Sequence, residues 1–363
     1  MPDNVAPETM RAWVLGGPDE ISLREVPVPR PGRAEVLVRV DAAAICATDL
    51  EVLSHGRPAM IEGALPFHKG HIPGHEYMGT IVGLGPDVDE YAVGERITVE
   101  IHAGCGRCRR CREGMYTSCL NYGFASKGHR ANGFTTPGGF AEYAVNNINT
   151  LVRIPAAMSD AEATLAVTAG TSMYGLDELG GLIAGQSLVV IGPGPIGLLG
   201  VAVGKALGAD PVILLGTRES RLALGRKLGA DHVVNVRAGD PVAAVQRLTG
   251  GGADLVLECS GGDEIIDQAG RMLLRGGKLC LAAFPHAPVT VDVGHWVRNN
   301  IYVYGIRGEG KSAVRRAVAL MAQHRFDATL IHTHSFPLAD LPEALRYARE
   351  RVEDAIKVVV TMR

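Results

Sequence analysis

The sequence predicts an α/β protein of two parts, a β-rich domain followed by a doubly wound parallel sheet. Three observations carry this. Valine- and isoleucine-rich runs broken by Gly, Pro and Asp fill the first part of the chain. Short apolar strands alternate with helical segments after about residue 160. A glycine-rich turn joins one such strand to a helix. With 363 residues, the chain also exceeds what one hydrophobic core usually supports.

In the first part, EVLVRVDAAAIC and EYMGTIVGLG read as strands. Ser159-Asp160-Ala161-Glu162 is a capping box that opens a long apolar helical stretch. The strands SLVVIG, PVILLG, HVVNV, DLVLEC, KLCLAAF and NIYVYGI then follow, with helices between them such as PIGLLGVAVGKALG and RLALGRKLG. Fully apolar strands of this length belong in a sheet covered on both faces. A helix near 312–324 and the strand AIKVVVTM close the chain.

Composition excludes several function classes. A net charge of −3 gives no global attraction to nucleic acid or anionic membrane. No apolar run approaches a membrane span. MPDNVAPETMRAW lacks the basic and apolar regions of a secretory signal, so cytoplasmic residence is expected. Seven cysteines in a long chain disfavour a disulfide framework. Cys259 and Cys280, in strand-like runs, read as buried small hydrophobes.

The other cysteines have metal-ligand spacing. Cys105, Cys108, Cys111 and Cys119 form C-x2-C-x2-C-x7-C in a lobe near 100–120, enough thiolates to close a tetrahedral structural zinc site. Iron–sulfur runs use a shorter last gap and a proline after the last cysteine, where Leu120 stands. Arg107, Arg109, Arg110 and Arg112 interleave the cysteines, which raises a zinc-ribbon nucleic-acid module as a reading of another class. The acidic overall charge and the lack of interleaved aromatics favour a solvated lobe.

Gly192-Pro193-Gly194-Pro195-Ile196-Gly197 is G-x-G-x-x-G, directly after an apolar strand and opening a helix. Gly192 permits the tight turn, Gly194 admits a pyrophosphate close to the backbone, and Gly197 lets helix and strand approach. This is the fingerprint of a Rossmann dinucleotide site, with the phosphates at the helix N-terminus. An acidic residue at the end of the next strand would select NAD. Gly216-Thr217-Arg218-Glu219-Ser220-Arg221 stands there instead. Glycine leaves room for a 2′-phosphate, and Thr217, Arg218 and Arg221 offer a hydroxyl and guanidinium groups, so NADP is favoured.

Cys46-Ala47-Thr48-Asp49 and Gly74-His75-Glu76 lie upstream. With the cysteine lobe, Gly138-Gly139-Phe140-Ala141-Glu142-Tyr143, the glycine motif and Glu258-Cys259-Ser260-Gly261, in this order, the chain resembles the zinc-dependent medium-chain dehydrogenase/reductase family over essentially its whole length. The alcohol, sorbitol and threonine dehydrogenases belong to that family. The resemblance implies a GroES-like catalytic domain over 1–167 and 306–363, and a Rossmann cofactor domain over 168–305. It implies that Cys46 and His75 ligate a catalytic zinc, that Asp49 orients His75, and that Thr48 contacts the substrate oxygen and starts a proton relay. Ser172, Pro195 and Ile196 would lie along the cofactor, and Lys357 would reach its pyrophosphate. The implied reaction is hydride transfer between a secondary alcohol or polyol and NAD(P), in a homo-oligomer, tetramer or dimer, with a small molecule as its partner.

Two positions depart from the family. Relatives place a cysteine or glutamate where Thr168 aligns, and a neutral hydroxyl is a poor zinc ligand. Glu162 is six residues earlier, about 9 Å along a helix, which leaves Glu76 to complete the set. Glu51 stands where many relatives continue the relay with histidine. The missing third ligand keeps open a metal-independent NADPH reductase of the same fold, acting on an activated double bond. Residues around 47–70, with His68 and His71, are expected to border the substrate, and Glu51 suits hydroxyl-rich molecules.

Overall fold

The computed structural model describes residues 6–55, 70–262, 264–285 and 287–362. The chain divides into two units, one of Met1–Val167 with His332–Arg363 and one of Thr168–Ile331.

The first unit is β-rich. The strands Thr9–Gly17 and Glu20–Pro27 form an antiparallel hairpin. A seven-stranded sheet runs in the order His332–Pro337, Lys357–Thr361, Glu35–Ala44, Glu76–Leu84, Arg96–Val99, Leu151–Arg153, with Tyr143–Asn147 also paired to Glu35–Ala44. Val36, Val38 and Val40 alternate into the core with Tyr77, Ile81, Ile97 and Val99, the period-2 burial that fits a sheet with one packed face. Tyr77 is fully buried, and its hydroxyl accepts a hydrogen bond from Asn146 Nδ2 at 2.7 Å.

Register sets the site. Val359 lies opposite Ala44, and Ala44 lies opposite Glu76, so three strands line up at one level. Cys46 follows the end of the central strand and His75 precedes the start of its neighbour. Lys357, two residues before Val359, shares that residue's face. Ile45 N–H donates to the Val358 carbonyl at 2.9 Å and ties the chain end to the Cys46 turn.

The second unit is a six-stranded parallel sheet ordered His232–Asn235, Val212–Gly216, Leu188–Ile191, Ala253–Glu258, Leu273–Leu281, Tyr302–Gly305. Val189, Ile191, Ile213, Leu215 and Val256 bury one face, while Val190, Leu214 and Leu257 on the other are equally buried. Each strand of the alternating series is present and parallel, and the central strands Val212–Gly216, Leu188–Ile191 and Ala253–Glu258 are covered on both sides.

Two expectations need correction. The return to the first unit comes at His332, not at 306. Residues 306–331 stay with the second unit because the helix Ala313–Ala322 buries Ala313, Val314, Ala317, Val318 and Met321. It sits so close that a Cβ on Gly170 would lie 2.7 Å from Val314 Cγ2. All seven cysteines are free; Cys280 is buried as expected, but Cys259 is partly exposed. Among the described residues, no helix is long and apolar enough to cross a membrane.

Candidate active site

Helix Ala47–His55 starts directly after Cys46 and carries Asp49 in its first turn. Asp49 is 1% exposed and acts as a clamp. Its Oδ2 accepts from Cys46 N–H at 2.9 Å and its Oδ1 accepts from His75 Nδ1 at 2.9 Å. A carboxylate on Nδ1 fixes the tautomer and leaves Nε2 as a ligand atom. His75 stacks on Phe134, with ring centroids 4.7 Å apart. Burial lowers the basicity of His75, but Asp49 and then Cys46 outweigh it and hold the pKa well above the ordinary value.

Ligand atoms of Cys46, His75 and Glu76 all lie within 4.8 Å of one another, with His75 and Glu76 buried. That is the donor set of a three-ligand zinc site with a fourth position left for water or substrate. Thr48 Oγ1 accepts a weak contact from Cys46 Sγ at 3.8 Å. Thr48 and Glu51 are both partly exposed, one turn apart on the same helix.

Glycines shape this pocket. Gly74 has φ +95°, and a Cβ there would lie 2.8 Å from Phe140 N; a Cβ on Gly138 would lie 2.0 Å from the Gly74 carbonyl oxygen. Gly74→Ala therefore meets both backbone strain and a backbone clash beside His75. It is expected to cost about 2–4 kcal/mol in urea unfolding and to weaken zinc retention.

The four cysteines of the lobe close on one another. Cys108 Sγ lies 3.4 Å from Cys111 Sγ and 4.0 Å from Cys119 Sγ, and Cys105 Sγ is 3.9 Å from Cys111 Sγ. Zinc with tetrahedral thiolates sets sulfurs about 3.8 Å apart. N–H groups of Cys108, Cys111 and Asn121 donate to the sulfurs of Cys105, Cys108 and Cys119, and Asn121 Nδ2 donates to Cys105 at 3.2 Å. Burial raises the Cys105 thiol, but Asn121 and the backbone N–H groups bring it down to about 6. Gly104 is required beneath this shell, since a Cβ there would lie 2.8 Å from Cys111 Sγ. Arg109 and Arg110 lean on Glu113 at the surface, as a solvated lobe would have them.

In the second unit, Gly192 takes φ +99° and its N–H donates to the Leu215 carbonyl. Helix Pro195–Ala206 begins with Gly194 as its cap and Pro195 at its first position. A Cβ on Gly197 would lie 2.0 Å from the Gly192 carbonyl oxygen, whereas one on Gly194 would meet nothing within 4 Å. The loop is therefore tight at its ends and open in the middle, where a pyrophosphate would approach.

Residues 32–156 match the alcohol dehydrogenase GroES-like domain family, and residues 195–323 match the zinc-binding dehydrogenase family. L-threonine 3-dehydrogenase of Bacillus subtilis is 34% identical over 90% of this chain and 91% of its own length. Sorbitol dehydrogenase of the same organism is 30% identical over 98% of both chains. A protein of Sinorhizobium meliloti 1021, assigned as a zinc-binding dehydrogenase and solved with NADP bound, superposes with a TM-score of 0.86 at 29% identity, covering 98% of this chain and 100% of the other. The chain belongs to the zinc-dependent medium-chain dehydrogenase/reductase family. It is an oxidoreductase that uses NAD(P) to act on a CH–OH group.

Within this dehydrogenase several side chains stand differently from their expected places. Ser172 is fully buried, and its hydroxyl donates to the Ile196 carbonyl at 2.9 Å, tying two helices together. Ile196 itself is only partly buried. Gly216 is a packing requirement, because a Cβ there would lie 2.6 Å from Pro193 Cγ. The room at that point is filled by the phosphate loop. Arg221 is 7% exposed and reaches the Pro193 carbonyl at 3.5 Å, so it braces the loop from within. Thr217 is exposed and Arg218 partly so. Glu219 accepts from Asn235 Nδ2.

Lys357 differs most. It is 2% exposed and ion-paired with Glu76, also buried, instead of lying on a surface open to pyrophosphate. The register of its strand places it there. Burial lowers its pKa, but Glu76 and then Cys46 outweigh that and hold it raised.

Sequence reasoning missed Phe134 and Asn121, and the bracing role of Glu258. Glu258 Oε1 accepts from Ser260 N–H at 2.6 Å and Gly261 N–H at 3.0 Å, shaping a turn against which Gly192 packs. Asn121, two residues after a ligand cysteine, is the one whose position offered a local signal. His71 Nε2 hydrogen-bonds the Gly133 carbonyl at 2.8 Å. His68, with residues 56–69, lies outside the described residues.

Proposed function

We propose that this dehydrogenase oxidises a small secondary alcohol or polyol, or reduces the matching carbonyl, with NADP preferred over NAD. We further propose a catalytic zinc on Cys46, His75 and Glu76 and a structural zinc on Cys105, Cys108, Cys111 and Cys119. The observation that carries the reading is the convergence of Cys46 with buried His75 and Glu76 within 4.8 Å, with Asp49 orienting His75. It answers the absence of a ligand at Thr168 and disfavours a metal-independent reaction. Zinc bound there would supply Lewis acidity that lowers the pKa of an alcohol.

The chain's own residues do the rest. Asp49 holds the imidazole and the Cys46 turn in one geometry. The Thr48 hydroxyl would accept the alcohol proton as it gives up its own, and the carboxylate of Glu51, one turn on and partly exposed, would take that proton on to solvent. The open Gly194 backbone and the N-terminus of Pro195–Ala206 hold the pyrophosphate, with Gly192 and Gly197 shaping the loop. Arg218, with Thr217, supplies the contact to a 2′-phosphate, while Arg221 supports the loop. The names of the two Bacillus relatives support a substrate bearing more than one polar group. Family resemblance supports a cytoplasmic homo-oligomer, a tetramer or dimer.

A screen of secondary alcohols, polyols and amino alcohols, run separately with NAD and NADP, tests this. Arg218→Ala is expected to lower kcat/KM about tenfold or more with NADP and to leave it nearly unchanged with NAD. Equal losses with both cofactors would overturn the 2′-phosphate role. Undiminished turnover after chelation of the zinc would overturn the metal role.

A further inference from the structure

The end of the second parallel strand is where a dinucleotide fold tells NAD from NADP. Glu219 is the one acid in residues 216–221, which follow that point. It opens the helix Glu219–Lys227, just past the strand Val212–Gly216. A carboxylate so near has two opposite uses. It can accept hydrogen bonds from the ribose hydroxyls of NAD, and it repels the 2′-phosphate of NADP. Which of these matters depends on what holds it.

Asn235 holds it. The strand His232–Asn235 runs parallel to Val212–Gly216, with Asn235 opposite Gly216. Val236 N–H donates to the Gly216 carbonyl at 3.0 Å and fixes the two strand ends together. Asn235 Oδ1 accepts from Arg237 N–H at 3.0 Å. A backbone N–H can only donate, so this contact decides which way round the amide stands. The amide nitrogen is left for its other partner, and it donates to Glu219 Oε1. Glu219 is exposed, so the bond is not needed to satisfy a buried charge. What it does is draw the carboxylate sideways, to the end of the neighbouring strand.

We propose that Asn235 is a positioning residue for cofactor choice. It holds the Glu219 carboxylate against its own strand end and so leaves Thr217 and Arg218 to receive a 2′-phosphate. Released from Asn235, Glu219 turns the same strand end toward NAD. This rests on the reading of NADP as the preferred cofactor. Asparagine suits the task because one amide supplies both an acceptor for Arg237 N–H and a donor for Glu219. Aspartate would keep the first contact and set like charges against each other in the second.

The test measures dissociation constants of the full-length protein for NADPH and NADH separately, from the fluorescence of the nucleotide and without substrate. Asn235→Ala is expected to weaken NADPH, to tighten NADH, and to move their ratio about fivefold or more toward NADH. Glu219→Gln alone is expected to leave the ratio within about threefold, and Asn235→Ala in that background is expected to add nothing. Equal changes for both nucleotides, or a shift that survives loss of the Glu219 carboxylate, overturn the proposal. A larger gain for NADPH in Glu219→Gln also overturns it, because the carboxylate would then already oppose the phosphate. Should Asn235→Ala fail to fold, Asn235→Asp decides: a shift of about tenfold or more toward NADH supports the proposal, and a smaller one overturns it. Wild-type protein that binds NADH as tightly as NADPH overturns the NADP reading and this proposal with it. A wild-type preference for NADPH that is indifferent to Asn235 overturns only the proposal.

Discussion

Replacing His75 by alanine is expected to reduce bound zinc from about two ions per chain to about one and to lower kcat/KM by roughly a thousandfold or more. The change removes a ligand and also leaves Asp49, at 1% exposure, without its imidazole partner. An uncompensated buried carboxylate is costly, so a fall in Tm accompanies the loss. Asp49→Asn separates the two effects. It keeps the ligand and the shape of the clamp but removes the charge, and is expected to weaken zinc binding about 10–100-fold. Full zinc content and near-normal turnover in His75→Ala would falsify the assignment.

The same geometry sets a pH dependence. In the metal-free protein the raised pKa of His75 means that folding takes up a proton, a stabilisation fully present below the ordinary histidine value and lost as pH rises through the raised one. Zinc must displace that proton. The rise in Tm on adding zinc is therefore expected to be small near pH 6 and to grow toward alkaline pH.

Cys108→Ser is the second large change. Cys108 Sγ lies within 4.0 Å of two other cysteine sulfurs, and as helix cap it accepts Cys111 N–H. Its loss opens the tetrahedral shell. Structural zinc contributes folding free energy directly, so Tm is expected to fall by about 10 °C or more, with one zinc lost. Catalysis per remaining folded molecule, measured at low temperature, is expected to persist, since the quartet offers no open position for substrate. Loss of turnover without loss of stability would reverse the assignment of the two metal sites.

Much of the fold was legible because its signals are local. Apolar runs such as SLVVIG and PVILLG specify buried parallel strands by composition alone. Ser159 caps its helix by accepting Glu162 N–H at 3.2 Å, as its spacing indicates. The cysteine quartet spans fifteen residues and closes on itself, and Gly192, Gly194 and Gly197 differ in surroundings as their motif requires. The second domain boundary was not legible. Residues 306–331 contain no breaker that says which core receives their apolar helix face, and only packing against Gly170 assigns it.

By itself, then, the sequence determined the two-part architecture, the close spacing of the four cysteines, the glycine-rich loop before Pro195–Ala206 and the candidacy of Cys46, His75 and Glu76. Tertiary structure alone decided what Glu76 and Lys357 do to each other. They are far apart in the chain and meet because Val359, Ala44 and Glu76 fall in register across three strands. It also ties Ser172 to the Ile196 carbonyl and Arg221 to the Pro193 carbonyl, and packs Gly216 against Pro193. The physical reason is the same in each case. A motif fixes what neighbours along the chain can do, whereas burial and charge pairing depend on strands that only the assembled sheet brings together.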